Sequence, residues 1–473
     1  MVRGPQQASK PRLPLSKVNF GKTDARNEVL TRDASALAQF KDSFLEPAGV
    51  TLDEFRFGER YVVFGAKGAG KTAFLRYLQL DVQASGCLTK FVTFSRDITE
   101  EERVRLAQIS KIELIEQDGD PEQNAVSAWM LFIFREIAEF IDDNKKIFTS
   151  NRDTRYFRDL ISKVYEGERK GFLSWVLETA KRGQFKVKAK HLEANLTGKP
   201  GETEREVPLD VIIRQCLSLL KELSWEGPRG IYLFFDELNL SFGSRIQHKR
   251  DAVLIRDLVI AIDRINSAFI ELGTPLYVFA GIRSEVLTAV SVPTHEINKT
   301  LADRGRELRW FGSRANEQAP IVTLFERKIN ASEKAAQYEI SNDVLGEYFQ
   351  RSTFGMDPKA LIVELTWCNP RDLILLFGEA AKGLGDERFS ERTLAKSLEK
   401  YSIDAWAERS EELNVAYSAT EIQSLRKLLV GFERYFSVRT FEERIMRQAQ
   451  TDQNVKLFSR HSAARAISDQ VGS

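Results

Sequence analysis

Short apolar runs, separated by amphipathic stretches, occupy about the first 310 residues of this chain. Runs that contain almost no polar residue are typical of parallel strands, which are buried on both faces of a sheet. They predict strands at Tyr61–Phe64, Phe91–Phe94, Ile231–Phe235 and Pro275–Ala280, and the less apolar stretch Glu307–Phe311 is a candidate for the last strand. Helices are predicted at Ser35–Phe44, Thr72–Gln83, Val211–Leu223 and Ala252–Phe269. The alternation of strands with helices indicates an α/β fold with a parallel β-sheet.

Helical patterns dominate the remaining parts of the chain. Residues 98–222 are mostly helical by pattern, and Ala128–Ile141 is apolar almost all round, which predicts a buried helix. Lys181–Val207 is rich in charged residues and glycine and is interpreted as a loop or hairpin. Further along, the pattern predicts a helical stretch at 316–410, helices at Ala419–Phe436 and Thr440–Ala449, and a polar, basic tail from Arg460.

Composition and charge are those of an ordinary soluble protein. The 473 residues are 42% hydrophobic and 29% charged, which suits two or three domains with an apolar core. Cys87, Cys216 and Cys368 are too far apart to suggest a disulfide set or a metal motif. No apolar run has the length of a membrane span or the character of a signal peptide. We therefore expect a cytoplasmic protein without a membrane partner.

Two basic stretches are candidates for contact with double-stranded DNA. The formal net charge is only +1, so such contact requires a local patch. Residues 1–23 carry five basic side chains, three prolines and no acidic residue, which predicts an extended, mobile arm. Arg245, His248, Lys249 and Arg250 precede the helix predicted from Ala252. A solvated tail and a solvated helix start are the alternative interpretations.

The stretch Tyr61–Leu75 carries the strongest chemical pattern of the chain. Its sequence, YVVFGAKGAGKTAFL, places Gly65-x-x-x-x-Gly70-Lys71-Thr72 between a predicted strand and a predicted helix. This is the context of a phosphate-binding loop, in which glycines let the backbone approach phosphate oxygens. Lys71 can reach the β- and γ-phosphates, and the Thr72 hydroxyl can bind Mg²⁺. The residues predicted to contact a nucleoside triphosphate are Gly65, Ala66, Lys67, Gly68, Ala69, Gly70, Lys71, Thr72 and Ala73.

Acidic residues end the buried strand predicted at Ile231–Phe235. Asp236 would reach Mg²⁺, directly or through water, and Glu237 is placed to orient or deprotonate the attacking water. Acidic residues often end strands, so the pair alone is a weak signal. Together with the phosphate-loop pattern, it indicates a nucleotide site. Asp236 lies 165 residues after Lys71, which predicts a helical insertion within the nucleotide-binding core.

Several arginines are candidate sensors of the nucleotide. Arg283 follows the strand predicted at Pro275–Ala280 and would face the γ-phosphate, although it could instead simply solvate the strand end. Arg371 lies in the first turn of a helix opened by Asn369-Pro370, where the helix dipole does not favour a cation, so a role in closing on the nucleotide is favoured. Arg304 or Arg306 could reach the nucleotide of a neighbouring subunit.

The order of these motifs resembles the AAA+/STAND branch of P-loop ATPases, which share Walker A and Walker B motifs. FAGIRS (Phe279–Ser284) is similar to the sensor strand of the switch ATPases, and NPRDL (Asn369–Leu373) to their lid motif, with Asn369 in place of glycine. The resemblance implies that Lys71, Glu237, Arg283 and Arg371 serve catalysis, and that Thr72 and Asp236 hold the metal.

A closer resemblance is to bacterial P-loop ATPases encoded near mobile elements and phage-defence genes. It rests on Phe20-Gly21 with Asp24-Ala25 and Glu28, on Gly65–Ala73, on Ile282–Glu285, on Arg304–Trp310, on Pro370–Ile374 and on Tyr401-Ser402. We name Phe20–Phe44 the lead-in segment. The resemblance implies a role in bacterial antiviral defence or with mobile elements. We expect a homo-oligomer that acts with an effector protein, because the sequence shows no second catalytic constellation.

The patterns and the resemblance together predict four parts. These are a basic N-terminal arm with the lead-in segment (1–49), a P-loop NTPase core with a helical insertion (50–312), a helical lid (313–410) and a small helical C-terminal region resembling part of a winged helix (411–473). We expect an ATPase whose nucleotide state drives a conformational or oligomerisation switch. A DNA-loading or DNA-sensing ATPase and a nucleotide-binding scaffold without turnover are the alternatives.

Overall fold

A computed structural model describes most of the chain. The described residues are 12–31, 33–93, 121–149, 151–164, 184–188, 204–237, 245–284, 287, 295–312, 318–385, 387–413, 417–432 and 436–460. Tertiary contacts divide the chain into two compact units, the first comprising Met1–Phe242 and Lys249–Ser397, the second Gly243–His248 and Leu398–Ser473. Within the described residues, no helix is long and apolar enough to cross a membrane.

The first unit contains a parallel β-sheet of five strands. In chain order, the described strands are β1 (Val62–Gly65), β2 (Leu88–Thr93), β3 (Gln184–Lys188), β4 (Glu204–Pro208), β5 (Ile231–Asp236), β6 (Leu276–Arg283) and β7 (Gly305–Glu307), and all but β3 and β4 belong to this sheet. The sheet has the order β2-β5-β6-β1-β7, and every pair in it is parallel. All six residues of β5 are buried, as expected of a central strand covered on both faces. The predicted α/β fold with a parallel sheet is confirmed.

Pairing between strands moves several predicted boundaries. β6 continues three residues past the predicted end at Ala280, because Gly281 to Arg283 pair with Val63 to Gly65 of β1. β2 begins at Leu88 because it pairs with Ile231 across the sheet. The last strand is Gly305–Glu307 rather than Glu307–Phe311. Hydrogen bonds to a neighbouring strand, which no local pattern reveals, decide these ends.

Helices flank the sheet and fill the insertion. In the N-terminal part they are α1 (Arg26–Val29), α2 (Ala34–Ser43), α3 (Leu52–Arg56), α4 (Lys71–Ala84), α5 (Pro121–Asp143), α6 (Arg152–Val164), α7 (Leu209–Leu220), α8 (Arg245–Glu271) and α9 (His295–Arg304). The predicted buried helix lies within α5, where the side chains from Trp129 to Phe134 are almost fully buried. β3 and β4 form an antiparallel pair within the stretch interpreted as a loop or hairpin.

The helices predicted as a lid follow the sheet. They are α10 (Pro320–Ala335), α11 (Val344–Tyr348), α12 (Pro358–Thr366), α13 (Pro370–Ala381) and α14 (Glu391–Leu413), and we call α10 to α13 the lid helices. The second unit contains α15 (Ala419–Leu429), α16 (Val438–Gln448) and α17 (Gln453–Arg460). The sequence pattern missed α17, whose Val455 and Phe458 pack on Leu428 in a small core.

The prediction of a mobile arm is wrong for the part of the chain from Arg12 onwards. Leu13 and Leu15 are fully buried, and the Leu15 N–H donates to the Gly385 carbonyl at 3.1 Å. The Arg12 guanidinium lies 5.0 Å from the centroid of the Tyr348 ring. Leu15 begins a short 3₁₀-helix at Leu15–Lys17, and the burial of the two leucines is not registered by a count of basic residues and prolines.

The lead-in segment packs against both the lid helices and the helix that follows β1. Phe20 is buried, with its ring centroid 5.5 Å from Phe325 and 6.5 Å from Phe377. Phe44 stacks on Tyr77 of α4 at 3.7 Å between centroids. Aromatic pairs of this kind add to the stabilisation from burial. The lead-in segment therefore connects the sheet region to the lid helices within the first unit.

Candidate functional site

A cleft lies at the carboxyl ends of the parallel strands. β1 ends at Gly65, β5 at Asp236 and β6 at Arg283, and Gly65 is the register partner of Arg283. The cleft has a volume of about 340 Å³ and is lined from the strand ends, α4, the lead-in segment and the lid helices. Ligands of open α/β sheets bind at this edge, where the strand order changes direction. Here β1 sits between β6 and β7, while β2 lies at the far edge.

Gly65–Thr72, which we call the glycine loop, joins β1 to α4. Gly68 and Gly70 have φ angles of 85° and 90°, a region that L-residues with a Cβ rarely adopt. α4 begins at Lys71 and its N-cap is Gly70, so no side chain caps its first turn. The backbone N–H groups and the positive end of the helix dipole therefore face the cleft, an arrangement suited to an anion.

Lys71 lies along the glycine loop. Its Nζ donates to the carbonyl oxygens of Gly65 and Ala66, each at 2.8 Å. Of the nine residues predicted to contact the nucleotide, Lys67, Gly68, Gly70, Lys71, Thr72 and Ala73 line the cleft. Ala69 instead faces the protein interior, where it is 5% exposed. The loop thus presents its glycines and its ammonium group to the cleft.

Asp236 and Thr72 meet at the floor of the cleft. Asp236 is 3% exposed and accepts hydrogen bonds from the Thr72 hydroxyl and from the Glu237 backbone N–H. Burial raises the pKa of Asp236, and these hydrogen bonds and the nearby Lys71 charge oppose the rise. A Cβ on Gly281 would lie 3.0 Å from the Asp236 Oδ1, so a glycine here leaves room for the carboxylate.

Glu237 lines the cleft beside Asp236 and has an uncommon backbone conformation. Its φ of 56° lies in the left-handed region, which costs a non-glycine residue roughly 1 kcal/mol or more. The Glu237 Oε1 lies 3.4 Å from Nη1 of Arg26, which belongs to α1. This contact with the lead-in segment was not predicted, because the sequence offered no signal for the role of Arg26.

Two elements hold the glycine loop from outside the strand–loop–helix unit. The Trp310 Nε1–H donates to the Ala69 carbonyl at 2.8 Å, and the Trp310 ring is buried. On another side, the Asn369 Nδ2 donates to the Lys67 carbonyl at 2.9 Å. Asn369 also caps α13 by accepting from the Arg371 N–H at 3.0 Å. The start of α13 therefore packs directly on the glycine loop.

The two predicted sensor arginines both line the cleft. Arg283 reaches it from the end of β6 and Arg371 from the first turn of α13. A further cation, Lys328 of α10, also lines the cleft, and sequence analysis missed it. Burial lowers the pKa of Lys328, while Glu28, 3.9 Å away, opposes the change. Lys328 lies in an amphipathic helix, and the sequence pattern of such a helix does not distinguish a buried lysine from an exposed one.

The arginines predicted to act across a subunit boundary make contacts within their own chain. Arg306 donates from Nε and Nη2 to the two carboxylate oxygens of Glu54 at 3.0 and 2.8 Å, and this bond lowers the pKa of Glu54. The Arg304 guanidinium lies 6.0 Å from the Tyr61 ring centroid. Neither lines the cleft. The basic residues from Arg245 to Arg250 open α8.

The donor set of the cleft fits a magnesium nucleotide. Among the described residues, no group of three or more His, Cys, Asp or Glu side chains could hold a metal ion. Thr72 and Asp236 supply a hydroxyl and a carboxylate, and Mg²⁺ in nucleotide sites is bound by one or two such ligands together with phosphates and waters. The loop glycines leave the backbone accessible to phosphate oxygens. The residues present therefore fit this ligand, although they would not form a protein-only metal site.

Comparisons with known proteins leave the family of the chain open. A scan against protein-family models found no match, and neither did a search of curated proteins. The resemblance to AAA+/STAND ATPases and to phage-defence ATPases therefore stays a prediction from the motifs.

Proposed function

We propose that this protein is a P-loop ATPase that binds and hydrolyses Mg-ATP. The observation that carries the proposal is the meeting of the glycine loop, the uncapped start of α4 and the Thr72–Asp236 pair in one cleft. Each is separately suited to part of the ligand: the loop to phosphates, the helix N-terminus to negative charge, and the pair to a divalent cation.

The residues of the cleft have distinct roles in this proposal. Lys71 exchanges the loop carbonyls for the β- and γ-phosphate oxygens of the substrate. Thr72 and Asp236 would hold Mg²⁺, which would neutralise charge on the phosphates. Glu237 orients the attacking water and accepts its proton. Catalysis of this kind depends on positioning and electrostatics more than on covalent chemistry.

The cationic side chains around the cleft support the second part of the proposal, a conformational switch that depends on the bound nucleotide. Arg283 belongs to the sheet, whereas Arg371 and Lys328 belong to the lid helices. A γ-phosphate bound between them would attract both sides at once. Since α13 already hydrogen-bonds the glycine loop through Asn369, a change in the loop bears directly on the lid helices. ATP and ADP would then favour different arrangements, provided their affinities for these arrangements differ.

The proposed protein partners rest on the sequence and its resemblance to known ATPases, and not on any contact in the cleft. A homo-oligomer, an effector protein and a role in antiviral defence stay predictions. DNA loading likewise stays a prediction: of the basic residues in the N-terminal stretch, Arg12 packs on Tyr348, whereas Lys17 and Lys22 are exposed. Arg3 and Lys10, the remaining basic residues ahead of Arg12, lie outside the described residues.

The test is ATPase activity and nucleotide affinity, combined with mass measurement, for wild type, Lys71→Ala and Glu237→Gln. We expect Lys71→Ala to bind ATP at least about tenfold more weakly, because the phosphates lose their ammonium partner. We expect Glu237→Gln to bind ATP normally and to hydrolyse it about a hundredfold more slowly. Lys382→Ala, at an exposed lysine of α13's C-cap, is the control and should match wild type.

The possible results distinguish between the alternative functions. Normal ATP binding by Lys71→Ala would overturn the proposal, and equal turnover by wild type and Glu237→Gln would overturn the role of Glu237. Wild type that binds ATP without any turnover would identify a nucleotide-binding scaffold. Added double-stranded DNA that stimulates turnover, with binding that weakens steeply as salt rises, would favour the DNA-loading alternative.

A further inference from the structure

Arg26 of the lead-in segment contacts the side chain proposed to orient the attacking water. Its Nη1 lies 3.4 Å from the Glu237 Oε1, across a sequence gap that spans the whole insertion. The two side chains are 17% and 20% exposed, so solvent screens their attraction only in part. α1, which carries Arg26, therefore reaches the Glu237 end of the cleft.

Asp24 holds the Arg26 guanidinium in place. It accepts from Arg26 twice, at Oδ1 from the backbone N–H and at Oδ2 from Nη2, each at 2.9 Å. The Nη2 end of the guanidinium is thus fixed by Asp24, while Nη1 forms an ion pair with Glu237 and has no hydrogen bond to it. A guanidinium held rigidly by one carboxylate can present its charge to a second carboxylate.

The position of Arg26 differs from that of a nucleotide ligand. Glu237 and Asp24 line the cleft, but Arg26 does not. Arg26 therefore contacts the cleft only through the carboxylates on either side of it. Glu237 needs such support, because its left-handed backbone conformation is unfavourable and persists where surrounding contacts hold it.

The same segment is anchored on the lid helices. Glu28 lies 3.9 Å from Lys328 of α10, and immediately before the segment the Asn19 N–H donates to the Ser332 hydroxyl of α10 at 3.0 Å. The turn at Gly21 is tight, since a Cβ there would lie 2.2 Å from the Glu28 Oε1. A contact path therefore runs from α10 through the lead-in segment to Glu237.

We propose that Arg26 is a positioning residue, which holds the Glu237 carboxylate in the orientation needed for hydrolysis, and that the lead-in segment thereby links this carboxylate to the lid helices. The inference rests on the proposed ATPase function. It predicts that removal of Arg26 impairs turnover and leaves nucleotide binding almost unchanged, because Arg26 does not line the cleft.

The experiment measures kcat and the Kd for ATP in the full chain, for wild type, Arg26→Gln, Arg26→Lys, Glu237→Gln and the double variant R26Q/E237Q. We expect Arg26→Gln to lower kcat at least about tenfold while the Kd changes less than about threefold. Arg26→Lys keeps the charge without the fixed fork and should recover part of the loss. In the E237Q background, Arg26→Gln should cost almost nothing further, because it acts through Glu237.

Arg56→Gln is the matched control. Arg56 also lies in a short helix and pairs with a carboxylate, Asp81, but it does not line the cleft or contact Glu237. Its kcat should equal that of wild type, and melting curves verify that each variant is folded. If R26Q does not fold, Arg26→Lys alone tests the inference, with an expected severalfold loss of kcat at unchanged Kd.

Failure of this inference is distinguishable from failure of the proposed function. An active wild type with unchanged kcat in both Arg26 variants overturns the role of Arg26 alone. Equal losses from Arg26→Gln with and without Glu237 do so too, since Arg26 would then act independently. A tenfold weaker Kd for ATP would make Arg26 a nucleotide ligand and also overturn the inference. An inactive wild type overturns the proposed function and this inference together.

Discussion

Asp236 shows, at the scale of a single residue, how function and stability compete. Its carboxylate is buried at the end of β5, where desolvation disfavours the charged form. The Thr72 hydroxyl and the backbone N–H of Glu237 offset only part of that cost. The metal-binding role proposed for Asp236 requires the ionised form, which is the form that burial disfavours.

Replacing Asp236 with Asn should stabilise the protein at neutral pH and abolish Mg²⁺-dependent turnover. The folded-state pKa lies above the unfolded value of about 3.9, so the native state holds the proton more tightly. The contribution of Asp236 to the free energy of unfolding is therefore fully present below about pH 4, and it is lost as the pH rises through the folded-state pKa. Asn cannot ionise, so Asp236→Asn should be more stable than wild type at pH 7, and this gain should disappear towards pH 3.5, as measured by urea denaturation.

Asp53→Asn is the control for this experiment. Asp53 is 60% exposed, and its substitution should change the free energy of unfolding by less than about 0.5 kcal/mol at either pH. A stability gain for Asp236→Asn that does not depend on pH would contradict the explanation by ionisation.

At the scale of elements, the shape of the cleft depends on the close contact between the glycine loop and the start of α13. A Cβ on Gly68 would lie 2.5 Å from the Asn369 Oδ1 and 2.9 Å from the Arg371 Cβ. Gly68 therefore serves two requirements, a positive φ and a close approach of the helix start. The first could be inferred from the motif, but the second depends on a helix about 300 residues later in the chain.

Gly68→Ala should destabilise the protein more than Gly86→Ala. Gly86 has nearly the same φ, 84° against 85°, but its Cβ would meet nothing within 4 Å. We expect Gly86→Ala to cost about 1 kcal/mol for the backbone conformation alone. Gly68→Ala should cost about 2–3 kcal/mol, because the Asn369 cap and its bond to Lys67 must also shift. Equal losses in denaturation experiments would show that the contact between loop and helix does not matter.

At the scale of the whole molecule, the cleft belongs to the first unit alone. Every described residue that lines it belongs to the first unit, since none lies in Gly243–His248 or after Ser397. The helices α15 to α17 have their own small apolar core around Leu428. The described residues of the proposed nucleotide site therefore come from the first unit.

Truncation after Leu413, at the end of α14, should therefore leave nucleotide binding intact. We expect the Kd for ATP to stay within about twofold of the full chain, because no cleft residue is removed. Calorimetric titration of the truncated and full-length proteins is the measurement, with Lys71→Ala in the truncated chain as the negative control. A tenfold loss of affinity on truncation would mean that the second unit takes part in the site.

The sequence by itself determined the α/β class, the glycine loop and the Asp236-Glu237 pair at the end of a buried strand. These could be predicted because each depends on neighbouring residues: a contiguous motif, an apolar run and a polar residue after it. Parallel strands also end at the same edge of a sheet, so motifs at strand ends are brought together without knowledge of the packing.

Only the tertiary structure decided how the loop and the acidic pair are held. Trp310 and Asn369 bind the loop carbonyls, Gly281 leaves room for Asp236, and Arg26 meets Glu237. Each contact joins residues that are remote in sequence, and no periodicity or spacing encodes such a pair. Contacts between residues that are remote in sequence also decide where β6 and β7 end and why Leu13 and Leu15 are buried. Local pattern predicts which groups a chain carries, whereas packing and strand register decide which of them meet.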